Sequence, residues 1–152
     1  MYTRQEASLV RKKFWTSFGQ YMQPVKGTNG DKINWLNYKT GIRYIYFRMD
    51  AGKDSAYIAI ELRHPDPAAQ QFYFEQLRQL EKILEAQTGE EWEWLLQVND
   101  EDGNTMSRIK KEIIGVNVFN EADWPAIISF LKPRIIALDE FWQQVKDGFD
   151  IL

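Results

Sequence analysis

Residues 42–63 decide the fold: Ile42-Arg43-Tyr44-Ile45-Tyr46-Phe47-Arg48-Met49-Asp50-Ala51-Gly52-Lys53-Asp54-Ser55-Ala56-Tyr57-Ile58-Ala59-Ile60-Glu61-Leu62-Arg63. Two runs of period two flank a loop from Asp50 to Asp54, the pattern of a β-hairpin. Ile45, Phe47 and Met49 share one face with Ala56, Ile58, Ile60 and Leu62, and that face is apolar. Tyr44, Tyr46 and Arg48 share the other with Tyr57, Ala59, Glu61 and Arg63. Counting back from the loop with Met49 facing Ala56 puts Tyr44 opposite Glu61, Tyr46 opposite Ala59 and Arg48 opposite Tyr57. One face is core, and the other carries the rings and charges of a binding surface.

Working outward, Thr3 and Glu6 have capping-box spacing and predict a helix. Val10, Phe14, Phe18, Tyr21 and Met22 form its apolar stripe, ended by Pro24, Gly27 and Gly30. The run Ile33 to Tyr38 reads as a short strand leading into the hairpin. Beyond it, Asp66 and Pro67 form a helix start, and Tyr73, Leu77, Leu80 and Leu84 hold a helical period as far as Gly89. Trp92, Trp94, Leu96 and Val98 alternate with polar residues as a strand, and a turn leads to another strand, Met106 to Val118, bent or broken near Gly115. A last helix from Glu121 contains Pro133, which should kink or split it. The order helix, three strands, helix, two strands, helix predicts one α+β domain over 1–152, its helices packed on an antiparallel sheet of about five strands.

Composition narrows the function. The chain has 152 residues, 44% of them hydrophobic and 27% charged, as in an ordinary globular domain. The absence of cysteine excludes thiol nucleophiles, disulfides and thiolate metal sites. No stretch has the length of a signal peptide core or a membrane span, so a cytoplasmic location without membrane contact is expected. The net charge of -3 conceals an asymmetry, since residues 1–63 hold 11 Lys/Arg against 5 Asp/Glu while residues 64–152 hold 8 against 17. This is either a footprint for anions or nucleic acid, or a set of solvated charges that intermix in the fold.

The single histidine, His64, could join Asp50 and Glu61 in an acid or metal cluster; the alternative is a strand-end histidine beside a helix cap. Asp50 or Asp54 followed by Glu61-Leu62-Arg63 also resembles nuclease layouts in which carboxylates hold Mg²⁺ and a lysine positions water. Arginine stands here in place of that lysine and stays protonated, so hydrolysis should be weak or absent. We assign no catalytic residue, no metal and no cofactor. Tyr44, Tyr46, Arg48, Tyr57, Glu61 and Arg63 remain as a platform for a protein partner or nucleic acid, provided no helix covers them. Trp124, Phe130, Phe141, Trp142 and Phe149 crowd the tail, and with the exposed sheet edges they favour a homodimer.

Four stretches carry a resemblance: Ile33 to Gly41, Tyr46-Phe47-Arg48-Met49-Asp50-Ala51, Ile60-Glu61-Leu62-Arg63-His64, and Ala137-Leu138-Asp139-Glu140-Phe141-Trp142. Together they resemble the bacterial family called domain of unknown function 4268 over nearly the whole chain. The resemblance implies no activity and no catalytic residue, because the family has none assigned. Some longer relatives carry such a domain behind nuclease-like or restriction-associated regions, which implies work near nucleic acid.

Overall fold

The computed structural model describes residues 2–149; residue 1 and residues 150–152 of the expected domain lie outside the described residues. The helices are α1 (Arg4–Met22), α2 (Pro67–Gln79), α3 (Glu81–Thr88) and α4 (Trp124–Val145), and the strands are β1 (Ile45–Ala51), β2 (Ser55–Leu62), β3 (Glu93–Asn99) and β4 (Thr105–Ile114). The strands form an antiparallel sheet in the order β1-β2-β4-β3. The fold is α+β, with four strands rather than about five among the described residues. Ile45, Phe47, Ile58, Ile60 and Ile109 of the sheet share one core with Phe14 and Phe18 of α1, Leu77 of α2, Leu84 of α3, and Leu138 and Trp142 of α4.

The missing strand is the run Ile33 to Tyr38, where Trp35–Asn37 forms a 3₁₀ turn instead. The Asn34 side chain accepts from the Asn37 N–H at 3.2 Å, a local bond that competes with strand pairing. Trp35 turns inward and donates Nε1 to the Val25 carbonyl at 2.9 Å, while Tyr38 stacks on Phe47 with ring centroids 4.7 Å apart.

The hairpin is real, but its register is two residues from the expected one. β1 continues to Ala51, which pairs with Ala56, so Tyr46 lies opposite Glu61, Arg48 opposite Ala59 and Met49 opposite Ile58. Gly52 N–H donates to the Ser55 carbonyl at 2.8 Å and closes a tighter loop than Asp50 to Asp54. A shift of two keeps the side chains within β1 and β2 on their expected faces. Tyr44 falls outside the strand with φ 71°.

β3 departs further from simple alternation. Leu95 pairs with Arg108 and Val98 with Met106, so a bulge at Leu96 and Gln97 faces Ser107 alone. The Gln97 N–H turns onto Ser107 Oγ at 2.8 Å, Leu96 is left 41% exposed, and Val98 moves to the face opposite Trp94. The expected long helix before Gly89 is two helices meeting at Leu80, a break that no local glycine or proline marks. Conversely, α4 passes Pro133 without splitting. Pro133 and Ser129, whose carbonyl loses its helical donor, are both exposed, so solvent can serve that carbonyl. β4 ends at Ile114, just before Gly115 at φ 79°.

The tail rings are not surplus: Trp124, Phe130, Phe141, Trp142 and Phe149 all lie in the chain's own core. Asp139, buried beside them, accepts from Tyr38 Oη, from Thr28 N–H at 2.8 Å and from Thr28 Oγ1 at 2.7 Å. Trp142 Nε1 donates to the Thr40 carbonyl at 2.7 Å. The Ile33 to Gly41 and Ala137 to Trp142 stretches are thus partners, pinning the segment before β1 onto α4. Burial raises the Asp139 pKa, but these donors outweigh it and hold the carboxyl below its ordinary range; burial and the same contact push Tyr38 up.

Candidate functional site

The polar face of the sheet follows from pleating. With the odd-numbered residues of β1 and their β2 partners turned to the core, Tyr46, Arg48 and Asp50 share the other face with Tyr57, Ala59 and Glu61, and β4 adds Met106, Arg108, Lys110 and Glu112. A groove of about 290 Å³ runs over this face, lined by strand residues and by the β3–β4 turn. No helix lines it among the described residues. The aromatic and charged face is therefore open.

Glu61 is the pivot of the groove. It is 1% exposed, yet it lies on the polar face, opposite Tyr46 on one side and Arg108 on the other. Its Oε1 accepts from Arg63 Nε at 2.9 Å; its Oε2 lies 4.0 Å from an Arg108 guanidinium nitrogen and accepts no hydrogen bond. Arg108 Nε is likewise buried and unbonded. Arg63 reaches on to Asp100 at 2.8 Å, tying the β3–β4 turn to the end of β2. Burial works against the charge of Arg63, but its bonds to Asp100 and Glu61 prevail and raise its pKa. Asp100 is held down to about 2, first by Arg63 and then by the Asn104 and Asp102 N–H groups of its own turn.

A cation does stand over a tyrosine here, although not the expected one. Arg108 covers the Tyr57 ring at 5.4 Å, whereas Arg48 faces Ala59. Burial, then Glu61 and Asp50, raises the Tyr57 pKa and keeps the phenol protonated as a donor.

Five of the six expected face residues, Tyr46, Arg48, Tyr57, Glu61 and Arg63, line this groove or the hollow beside it. Tyr44 lines neither and packs edge-on against His64 at 4.8 Å with Arg43 over its ring at 4.7 Å. The cluster of Asp50, Glu61 and His64 is not assembled. Asp50 pairs with Tyr57, four residues along the strand from Glu61, about 13 Å away at strand rise. His64 Nδ1 instead accepts from the Asp66 N–H at 3.0 Å beside the α2 cap. No group of three or more His, Asp or Glu among the described residues is arranged to hold a metal ion. The contribution of β4 was missed, although Met106, Arg108, Lys110 and Glu112 occupy every second position and carried the signal.

The groove is mixed in charge with an acidic excess. Its lining carboxylates are Asp50, Glu61, Asp100, Glu101, Asp102 and Glu112, against Arg48, Arg63, Arg108 and Lys110. Three of the cations are already paired within the sheet, Arg63 with Glu61 and Asp100, Arg108 with Glu61 at 4.0 Å, and Lys110 with Glu112 at 3.6 Å and Glu93 at 3.7 Å. Elsewhere the two oppositely charged halves of the chain also meet, as in Lys13 with Glu121 at 3.0 Å. Among the described residues, no helix is long and apolar enough to cross a membrane.

Comparison with known proteins gives a family and nothing finer. The family described as domain of unknown function DUF4268 matches residues 10–146. No curated protein and no solved structure matches the chain.

Proposed function

The chain belongs to the DUF4268 family, whose description assigns no activity, and from the geometry of the open sheet face we propose that it is a non-enzymatic binding domain for a basic or mixed-charge polypeptide segment. The observation that carries this reading is the acidic excess of a groove whose own cations are mostly spoken for. Exposed Glu101 and Asp102 on the rim favour incoming ammonium or guanidinium groups. Tyr57 on the floor and Tyr46 beside it offer ring surface at low entropic cost.

The competing reading, association with nucleic acid on a nuclease-like layout, draws on the family's company and on the hairpin acids. A carboxylate-rich groove repels phosphates, and the separation of Asp50 from Glu61 gives that layout no shared ion site. A peptide selection on the immobilised domain tests the choice. Sequences rich in Arg and Lys should be enriched, with affinity lowered at least tenfold by Asp100→Ala or by Glu101→Lys with Asp102→Lys. Equal enrichment by that double variant, or tight DNA or RNA binding that weakens steeply with salt, would sink the proposal.

A further inference from the structure

We propose that the polypeptide segment bound in the polar groove lies extended along β2 and carries its charges in a fixed order: basic, acidic, neutral and basic at every second residue. This rests on the reading of the groove as a site for basic or mixed-charge polypeptide, and adds the order of the charges. The direction follows from the groove's proportions. Its lining along β2 runs from Ser55 to Arg63, just past the strand's end, about 26 Å at strand rise. Its width from β1 to β4 is two strand spacings, roughly 10 Å. The long axis is the strand axis.

Pleating sorts the charges along that axis. Residues two apart on a strand share a face about 6.7 Å apart, so each row of the register is a band across the sheet. The first band holds Asp50, Tyr57 and Glu112, the second Arg48, Ala59 and Lys110, and the third Tyr46, Glu61 and Arg108. Beyond them Arg63 leads to the β3–β4 turn, where Glu101 and Asp102 stand exposed. Internal pairing cancels much of this charge, because Lys110 lies 3.6 Å from Glu112 and Glu61 serves both Arg63 and Arg108. Asp50 accepts only the Ala51 N–H, and no hydrogen bond or ion pair reaches Arg48 or the carboxylates of Glu101 and Asp102. The charge left over along the groove is negative, then positive, then balanced, then negative.

An extended chain has the same period, since alternate side chains fall on one side about every 6.7 Å. Its residues i, i+2, i+4 and i+6 then lie over the successive bands, and about 20 Å separates the Asp50 level from the turn, the reach of about six residues. Lys or Arg at i meets Asp50, and Asp or Glu at i+2 meets Arg48. A neutral residue at i+4 lies beside Tyr46, whose ring is 46% exposed, and Lys or Arg at i+6 meets Glu101 and Asp102. Complementary charge sets register in this way more than it sets affinity. A helix docks through an apolar stripe, which a floor of mixed charge does not match. A nucleic acid presents one sign of charge, which the Arg48 band alone would accept.

Fluorescence anisotropy of the full chain with two labelled peptides of identical composition, at low salt, tests the order. One carries Lys at its first and seventh positions and Glu at its third, with Ser elsewhere; in the other the Glu moves to the fourth position, which turns it to the opposite side of an extended chain. The first should bind about tenfold more tightly. Arg48→Glu should abolish that preference, and replacing the peptide's Glu by Lys should restore affinity for this variant to within about threefold of the original pair. Arg48 is exposed and unpaired, so the substitution removes no internal contact. If the variant does not fold, the two peptides on the wild type decide alone. Equal binding of both peptides, each weakened by Glu101→Lys with Asp102→Lys, would overturn the charge order and leave the groove reading standing. A folded Arg48→Glu that keeps the preference would overturn it too. No binding of these peptides or of one made of lysine alone would remove the groove reading along with it.

Discussion

Asp100 joins three roles in one side chain: it bonds the Asp102 and Asn104 N–H groups of its turn, clamps Arg63, and through Arg63 steadies buried Glu61. Its folded-state pKa of about 2 lies below the ordinary carboxylate value near 3.9. As pH falls, the unfolded chain takes up this proton first, so the contribution of Asp100 is complete above about pH 4 and is lost as pH drops toward 2. Asp100→Asn should flatten the decline in thermal midpoint over that window and leave the curve at neutral pH nearly parallel to wild type. Scanning calorimetry between pH 2 and 5 checks it, and an unchanged acid limb would detach Asp100 from the network.

Elements end where the backbone has a specific reason to turn. Gly89 closes α3 in the left-handed region at φ 76°, its N–H bonding the Glu85 carbonyl at 2.7 Å, and a Cβ added there would meet nothing within 4 Å. Gly89→Ala should therefore cost about 1 kcal/mol from backbone conformation alone, measurable as a shifted urea midpoint at unchanged slope. A loss below the error of the measurement would show that the cap tolerates a side chain. The bulge in β3 works in the opposite way. It adds a residue where the alternation of Trp92, Trp94 and Leu96 gives no warning, because the cause is Ser107 Oγ on the neighbouring strand, itself bonded to Gln70 of α2 at 2.6 Å.

Over the whole molecule, one core receives residues from every helix and from β1, β2 and β4, with Trp94 of β3 packed against it. Thermal unfolding should accordingly be a single transition with equal calorimetric and van't Hoff enthalpies. Two resolved transitions would divide what we treat as one domain over 1–152. Charge also acts at this scale, since Lys13 with Glu121 and Arg63 with Asp100 join the basic and acidic portions of the chain.

The sequence by itself determined the hairpin, the faces taken by the side chains within its two strands, the starts of α1 and α2 and the α+β class, because alternation and capping depend on neighbours a few residues apart. It also carried the family signature, of which the stretches Ile33 to Gly41 and Ala137 to Trp142 meet in the fold at Asp139 and Trp142. The tertiary structure, on top of the local bond from Asn37 N–H to Asn34, decided that Ile33 to Tyr38 holds a turn, because Trp35 turns inward and bonds the partly buried Val25 carbonyl. It alone added Arg108 and Lys110 to the site, because β4 pairs with β2 across more than forty intervening residues. The openness of the polar face was likewise decided there. It depends on which layer the helices choose and is not written in local spacing.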